Sequence, residues 1–481
     1  MTQVEFTASE LDEILLRQKH AYKQDPFMSK EVRVDNLHKL ERILKQHQSE
    51  ICQAIHEDFG SRTVTETSLL EVFTSIESAV DARKKLSKWM KPKRRSTSIW
   101  FKPAKNRLIP QPLGSVGIMV PWNYPLMLAI SPMVTAMAAG NRIMVKMSEN
   151  SQRLCRVLAN AFAQEFDQTE ICFVAETGDT GPTFARLPFD HLIFTGSTAT
   201  GKKVMAAAAE NLTPVTLELG GKSPAIVAKD YPLKKALSRI LGGKSYNSGQ
   251  TCVAPDYLLI PEESLEETIK LAKAIIAKRF AKKEVTELTS IIDEPSYERL
   301  MSKLEDAKEK GADVINLLPK SEPNDQTRQM AIHLVVNPTD DMTVLQREIF
   351  GPILPIVTYK SLDEVYQYIG ERDRPLALYL FTNDKAVKQE VLHSTISGGV
   401  AINDVMVHVA QHDLPFGGVG ASGIGNYHGR DGFESLSKMK PVMHQSSVTF
   451  SSLLLPPYSG FAKRMVNFLV NRKLHLPERS K

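Results

Sequence analysis

The chain is poor in cysteine, with four residues in 481, widely spaced and without a CxxC pair. That scarcity excludes a disulfide-built scaffold and a cysteine-rich zinc site, and it fits a reducing cytoplasm. Long apolar runs are missing too. The most apolar stretch, Leu126 to Ala139, is too short to span a bilayer and is interrupted by Ser131, Pro132 and Thr135. No basic segment leads into an apolar core near Met1, so no signal peptide is read there. Charge of one sign is scarce: a formal net charge of +5 over this length implies no commitment to nucleic acid. The one basic stretch, Arg83-Lys84-Lys85 followed by Lys91-Pro92-Lys93-Arg94-Arg95, reads as a solvated helix end and linker. Internal repeats and low-complexity segments are also absent.

What is present suits a globular protein of two or three domains. Residues from about Ser9 to about Met90 read as helices, with Leu37, Leu40, Ile43 and Leu44 on one helical period. Arg95 to Arg107 changes character and reads as a protruding hairpin or linker. From Leu113 the rhythm is strand, turn, helix, strand. Strands are expected at Val116–Val120, Ile143–Val145, Ile171–Val174, His191–Phe194, Val215–Leu219 and Ala225–Val227. Such alternation implies a parallel sheet covered by helices. Near the C-terminus, Leu453-Leu454-Leu455 and Phe468-Leu469-Val470 form apolar clusters that suit contact with a partner subunit or a membrane surface, not a span.

Several motifs carry chemistry. Phe194-Thr195-Gly196-Ser197-Thr198-Ala199-Thr200-Gly201-Lys202-Lys203 follows an apolar strand and opens a helix. A glycine turn at a helix N-terminus offers backbone N–H groups beside the positive dipole end, which suits phosphate. The P-loop reading requires Ser or Thr after its lysine, and Lys203 stands there, so an NTPase is disfavoured. A dinucleotide turn remains, without GxGxxG spacing. The literal GxGxxG at Gly418-Val419-Gly420-Ala421-Ser422-Gly423 follows no strand and opens no helix. Glu218, on Val215-Thr216-Leu217-Glu218-Leu219, admits three readings: a solvated strand carboxylate, a ribose ligand or a general base. Asn123 ends an apolar strand, as turn chemistry or as an amide for an oxyanion. His408 and His412 lack the glutamate of a zincin, and no metal site is expected.

Among the cysteines, Cys52 and Cys155 lie on helical apolar faces and Cys172 in a strand, so all three read as core. Cys252 differs. It sits in Asn247-Ser248-Gly249-Gln250-Thr251-Cys252-Val253-Ala254, a loop rich in backbone donors and poor in hydrocarbon.

The set Pro121-Trp122-Asn123-Tyr124-Pro125, Phe194-Thr195-Gly196-Ser197, Leu217-Glu218-Leu219-Gly220-Gly221-Lys222, Gly249-Gln250-Thr251-Cys252, Glu348-Ile349-Phe350-Gly351-Pro352 and Pro415-Phe416-Gly417-Gly418-Val419-Gly420 resembles the aldehyde dehydrogenase superfamily. The likeness runs over about residues 10 to 450. Thr251 and Ala254-Pro255-Asp256-Tyr257 resemble its class 3 branch, which includes bacterial coniferyl aldehyde dehydrogenases. One departure is Met147, where the family usually has proline; it blurs the adenosine-ribose contact.

The resemblance implies an α/β fold: a doubly wound parallel-sheet cofactor domain (1–94 and 109–220), an α/β catalytic domain (221–420), and a bridging and oligomerisation arm with the tail (95–108 and 421–481). It also implies Cys252 as nucleophile, Asn123 as oxyanion donor with the Cys252 N–H, and Glu218 as the base that releases the acid. NAD, with NADP as a possible substitute, is the expected cofactor. Trp122, Lys146, Glu149, Gly196, Ser197, Gly201, Glu348 and Phe350 are its expected contacts. Lys146 and Glu149 would meet the adenosine ribose, Gly196 and Ser197 the pyrophosphate, and Glu348 the nicotinamide ribose. Loop donors and a cationic ring are expected to favour the Cys252 thiolate. By resemblance to class 3 the expected substrate is an apolar aldehyde, aromatic or medium-to-long aliphatic; Val405 to Gly417, which the family places near the substrate entrance, holds no Lys or Arg. A cytoplasmic homodimer is expected, and an inactive dehydrogenase-like binding protein is the alternative.

Overall fold

The structure is a computed structural model and describes residues 2–280, 287–319, 323–449 and 455–471. Its strands in chain order are β1 (Lys93–Arg95), β2 (Lys105–Pro112), β3 (Ser115–Met119), β4 (Arg142–Lys146), β5 (Ile171–Val174), β6 (His191–Gly196), β7 (Val215–Leu219) and β8 (Pro224–Val227). They continue as β9 (Tyr257–Pro261), β10 (Asp313–Asn316), β11 (His333–Val336), β12 (Ile353–Tyr359), β13 (Ala377–Phe381), β14 (Gly399–Ile402), β15 (Gly423–Ile424) and β16 (Ser437–His444). The chain divides into two compact units, Met1–Trp89 with Pro112–Ser437, and Met90–Gln111 with Lys438–Lys481.

The larger unit holds two sheets. One has the order β15-β7-β6-β3-β4-β5, parallel except for the antiparallel edge β15. The chain moves outward from β3 to β4 and β5, then returns to the other side of β3 for β6 and β7. Crossovers therefore leave β3 and β6 in opposite directions, which opens a crevice at their carboxyl ends. The other sheet has the order β10-β11-β12-β9-β8-β13-β14, parallel except for β10. Central strands of both sheets are buried on both faces, as their continuous apolar runs require. Met144, Cys172, Leu192, Phe194 and Leu217 pack beneath helical Leu11, Ile14, Phe184 and Val204. Each such side chain contributes about 1.5–3 kcal/mol on burial. Cys52, Cys155 and Cys172 are buried, as their apolar surroundings predict.

Two helix starts matter for the site. Ser197 caps the helix Thr198–Ala209 by accepting from the Thr200 N–H. The helix Met127–Ala139 begins at Leu126, which has no capping side chain. Its free donors are met from a distance: the Glu71 carboxylate accepts from the Leu126 N–H at 2.7 Å and the Met127 N–H at 3.2 Å.

In the smaller unit β1 and β2 form an antiparallel hairpin, pairing Lys93 with Leu108 and Arg95 with Asn106, so the Arg95–Arg107 hairpin expectation holds. Ile99, Trp100 and Phe101 at its turn are exposed. The helix Gly460–Val470 carries exposed Phe461, Phe468 and Val470. Leu453 and Leu454 lie outside the described residues. Among the described residues no helix is long and apolar enough to cross a membrane.

Candidate active site

The Cys252 loop leaves the helix Leu233–Ser245 through three residues in left-handed conformation: Asn247 and Ser248, both at φ +50°, and Gly249 at φ +72°. A Cβ on Gly249 would lie 2.5 Å from the Gly351 carbonyl, so only glycine fits that third position. Two consecutive non-glycine residues here cost backbone energy, about 1–2 kcal/mol each, which the surroundings must offset. They do so with hydrogen bonds. Ser248 Oγ donates to the Thr289 carbonyl at 2.6 Å, and the Asn247 amide donates to the carbonyls of Asn123 and Gln250. Gln250, wholly buried, donates to the Asn247 and Ser290 carbonyls and accepts from the Ile292 N–H, each at 3.0 Å. Glu66, from a distant helix, accepts from the Asn247 N–H and the Thr289 hydroxyl.

Asn123 follows β3 and is brought against this loop. Its Nδ2 donates to the Gln250 carbonyl at 3.2 Å, two residues before Cys252. Its own carbonyl accepts from Arg62 Nη1, and Arg62 forms a fully buried pair with Glu71 at 2.6 Å. The next residue, Tyr124, shares a hydrogen bond of 3.0 Å with Thr251. Arg62, Glu66 and Glu71 carry no motif in the sequence. Only tertiary contacts reveal that they hold Asn123 and the cysteine loop.

Glu218 is 2% exposed, and neither carboxylate oxygen has a hydrogen-bond partner. The solvated-strand reading is therefore corrected: Thr216 and Glu218, on the polar face of β7, are both buried. Burial pushes the Glu218 carboxyl well above the usual range. The Cys252 thiol is pushed up to about 12, first by burial, then by the carboxylates of Glu348 and Glu218. Backbone donors at Cys252 and Val253 pull the other way and lose. The expected preference for thiolate is thus corrected for the protein alone: the resting thiol is neutral.

Glu348 is raised to about 8, by burial first and then by Asp256, while Lys222 and Lys244 oppose the rise. Its segment is tied down because Lys222 pairs with Asp256, and Asp256 accepts from the Ile349 N–H at 2.9 Å. Phe350, at φ +50°, meets Trp122 edge to face with ring centroids 5.3 Å apart. Trp122 and Phe350 are thus joined, and Glu348 and Glu218 both act on Cys252.

The remaining expected contacts lie along the carboxyl edge of the six-stranded sheet. Gly196 ends β6, and Ser197 opens the next helix in an exposed position. Gly201 is buried one turn on, where a Cβ would strike Leu219 at 2.6 Å, so this helix sits close on the sheet. Lys146 ends β4 and is paired with Glu176, a residue the sequence did not single out. Glu149 is exposed beside it and accepts from Ser148 Oγ at 3.1 Å. An exposed helix N-terminus, a buried ammonium at one end and a buried carboxylate at the other fit a dinucleotide. Among the described residues no cluster of His, Cys, Asp or Glu could hold a metal.

Beside Cys252 lies a cavity of about 330 Å³. Its wall includes Leu69, Phe73, Trp89, Tyr124, Met127, Leu128, Val405, Met406, Val409 and Phe416, with Asp81, His412 and His428 among its few polar members.

Comparisons with known proteins give the family. The model of the aldehyde dehydrogenase family matches residues 2–442. A probable coniferyl aldehyde dehydrogenase of Pseudomonas aeruginosa is 46% identical over 459 residues, covering 95% of this chain and 96% of that protein. Aldehyde dehydrogenase family 3 member H1 of Arabidopsis thaliana is 35% identical over 98% of this chain and 96% of that one. Among solved structures, the substrate-bound state of Staphylococcus aureus AldH superposes with a TM-score of 0.89 at 36% identity, covering 95% of this chain and 99% of that chain. An NAD⁺ complex of aldehyde dehydrogenase from Bacillus cereus superposes at 0.82 with 26% identity, covering 92% and 90%. The chain belongs to the aldehyde dehydrogenase family.

Proposed function

We propose that this aldehyde dehydrogenase oxidises apolar aldehydes, of coniferyl type or medium-to-long aliphatic, to carboxylic acids through a thioester on Cys252. The observation that carries this reading is the largely apolar cavity opening onto the one cysteine that is not core. The coniferyl type comes from the name of the Pseudomonas aeruginosa relative.

Cys252 Sγ attacks the carbonyl carbon as its proton passes to Glu218. The oxygen, now anionic, is held by Asn123 Nδ2 and the Cys252 N–H; one such donor is worth about 3 kcal/mol. Loss of hydride from the former carbonyl carbon leaves an acyl thioester. When bound, NAD supplies the hydride acceptor and a cationic ring near the thiol. Lys146 and Glu149 would hold its adenosine ribose, Gly196, Ser197 and Gly201 its pyrophosphate, and Trp122, Glu348 and Phe350 its nicotinamide end. Glu218 releases the first proton to solvent and then takes one from water, whose oxygen attacks the thioester carbon; as the acid leaves, the departing sulfur takes that proton from Glu218 and the thiol is restored. A carboxylate without partners is a stronger base than one satisfied by donors, which suits Glu218 to this step.

On this reading residues 1–94 and 109–220 form the cofactor part and 221–420 the catalytic part. The segments expected as an arm, 95–108 and 421–481, carry exposed Trp100, Phe101, Phe461 and Phe468, which suit a homodimer contact in the cytoplasm, or weak contact of the tail with a membrane surface; Gly423–Ile424, within the second segment, edges the six-stranded sheet instead. Light scattering of the purified chain tests the dimer. The substrate class is tested by NADH formation across coniferyl-type aldehydes, benzaldehydes, alkanals and carboxylate-bearing semialdehydes. The apolar aldehydes should show the higher kcat/KM. Semialdehydes outperforming them would overturn the substrate assignment.

A further inference from the structure

Lys146 and Glu176 come together because β4 and β5 are parallel neighbours, with Lys146 opposite Val174 in the register. The Met147 N–H donates to the Val174 carbonyl at 2.9 Å, and two residues beyond Val174 the chain reaches Glu176. One carboxylate oxygen accepts from Lys146 Nζ. The other accepts from the Gly178 N–H at 2.9 Å and the Thr180 N–H at 3.1 Å. Both side chains are nearly buried, at 9% and 10% exposure. A Cβ on Gly181 would lie 3.1 Å from Glu176 Oε2 and 3.6 Å from Lys146 Nζ, so backbone walls the pair on that side. Burial raises the Glu176 carboxyl, but Lys146 and the backbone donors outweigh it, and the group stays below the usual range.

We infer that Glu176 is a specificity-determining residue that selects NAD over NADP, by holding the Lys146 ammonium neutralised where the adenosine ribose binds. The inference rests on the placement of that ribose at Lys146 proposed above. A ribose 2′-hydroxyl is neutral and both donates and accepts, so it suits a lysine–glutamate pair. A 2′-phosphate brings about −1.5 to −2 charges and needs a cation of its own. Lys146 is already committed, and three anchoring hydrogen bonds keep Glu176 from swinging away. Glu149, exposed three residues after Lys146 in sequence, carries a further negative charge. A fixed carboxylate beside that ribose would also repel a 2′-phosphate directly, an effect on the order of 30-fold in a partly wet site.

Fluorescence titration with NADH and NADPH measures binding without turnover. Wild-type protein should bind NADH about 30-fold or more tighter than NADPH. Glu176→Gln keeps the shape and an acceptor for the two N–H groups while removing the charge. It should cut that ratio about 10-fold, mainly by tightening NADPH. Equal wild-type affinity for the two cofactors would overturn the inference, whatever the variant does. So would a folded Glu176→Gln protein with an unchanged ratio. Lys146→Met separates the two layers. If it weakens both cofactors while Glu176→Gln changes nothing, the ribose placement stands and the role of Glu176 falls. If Lys146→Met leaves both affinities untouched, the ribose placement itself fails.

Discussion

Glu176 and Glu218 are two glutamates near the carboxyl edge of one sheet, and the protein treats them in opposite ways. Glu176 has a lysine and two backbone donors, and its carboxyl is held low. Glu218 has none, and burial drives its carboxyl up. The difference fits the roles proposed for the two ends of the crevice. A buried charge that is fully paired costs little and offers a fixed pattern for recognition. A buried carboxyl left unpaired is a standing cost that stability alone would remove, and such groups gather where proton transfer is needed. The cysteine loop follows the same division. Its backbone is over-determined by Gln250, Ser248 and Glu66, while the thiol it presents is left to the electrostatics of the site.

The largest effect expected from breaking this arrangement is at Cys252. Cys252→Ala should lose turnover by about 10⁴-fold or more, yet bind NADH as wild type does by fluorescence titration. The contrast is Cys155→Ala, at a wholly buried cysteine, which should leave kcat within about 2-fold and cost about 1 kcal/mol of stability. Turnover surviving in Cys252→Ala would remove the nucleophile from the account. Next comes Asn123→Ala, which removes one oxyanion donor while Arg62 still grips the backbone carbonyl. Steady-state kinetics should show kcat reduced about 10²–10³-fold with little change in the KM for NAD. A change confined to KM would make Asn123 a binding residue only.

A smaller effect sharpens the comparison of the two glutamates. The folded-state pKa of Glu218 lies above its unfolded value, so above that unfolded value the folded protein binds more protons than the unfolded one. Stability contributed at this site therefore falls as pH rises from the unfolded pKa towards the folded one. Glu218→Gln removes the dependence, so its Tm should drop less than that of wild type between about pH 5 and about pH 8, by a few degrees. Glu176→Gln should show no such gain, because the wild-type carboxylate is already paired. Parallel Tm–pH curves for wild type and Glu218→Gln would contradict the unpaired state of Glu218.

Much of this was legible in residue order. Ile171–Val174 and Val215–Leu219 are strands with the bounds that apolar pattern predicts, and the turn after Phe194 opens a helix as its glycine and Ser197 imply. Local pattern could not tell whether Glu218 faced solvent, because alternation marks a polar face without saying what covers it, and in the fold Thr216 and Glu218 are both buried. The partners of the cysteine loop were beyond reach for a related reason. Glu66 and Asn247 are 181 residues apart, and a lone glutamate on an amphipathic helix reads as solvated. Glu176 sits in a polar turn, Glu176-Thr177-Gly178-Asp179, that looks like ordinary loop chemistry until β5 is laid beside β4. The state of the free thiol is not legible in residue order either, because nearby donors are visible there, whereas burial and the carboxylates of Glu348 and Glu218 are not.

The central claim, that the unpaired Glu218 carboxylate drives release of the acid from Cys252, is tested most directly by mixing Glu218→Gln enzyme with NAD and a good aldehyde. Rapid-mixing absorbance should show a burst of up to one equivalent of NADH per active site, then a steady state slower than wild type by about 10²–10⁴-fold. Intact mass at the end of the burst should show the acyl group on Cys252. If turnover instead recovers at high NAD with no acyl adduct, Glu218 binds cofactor and is not the base.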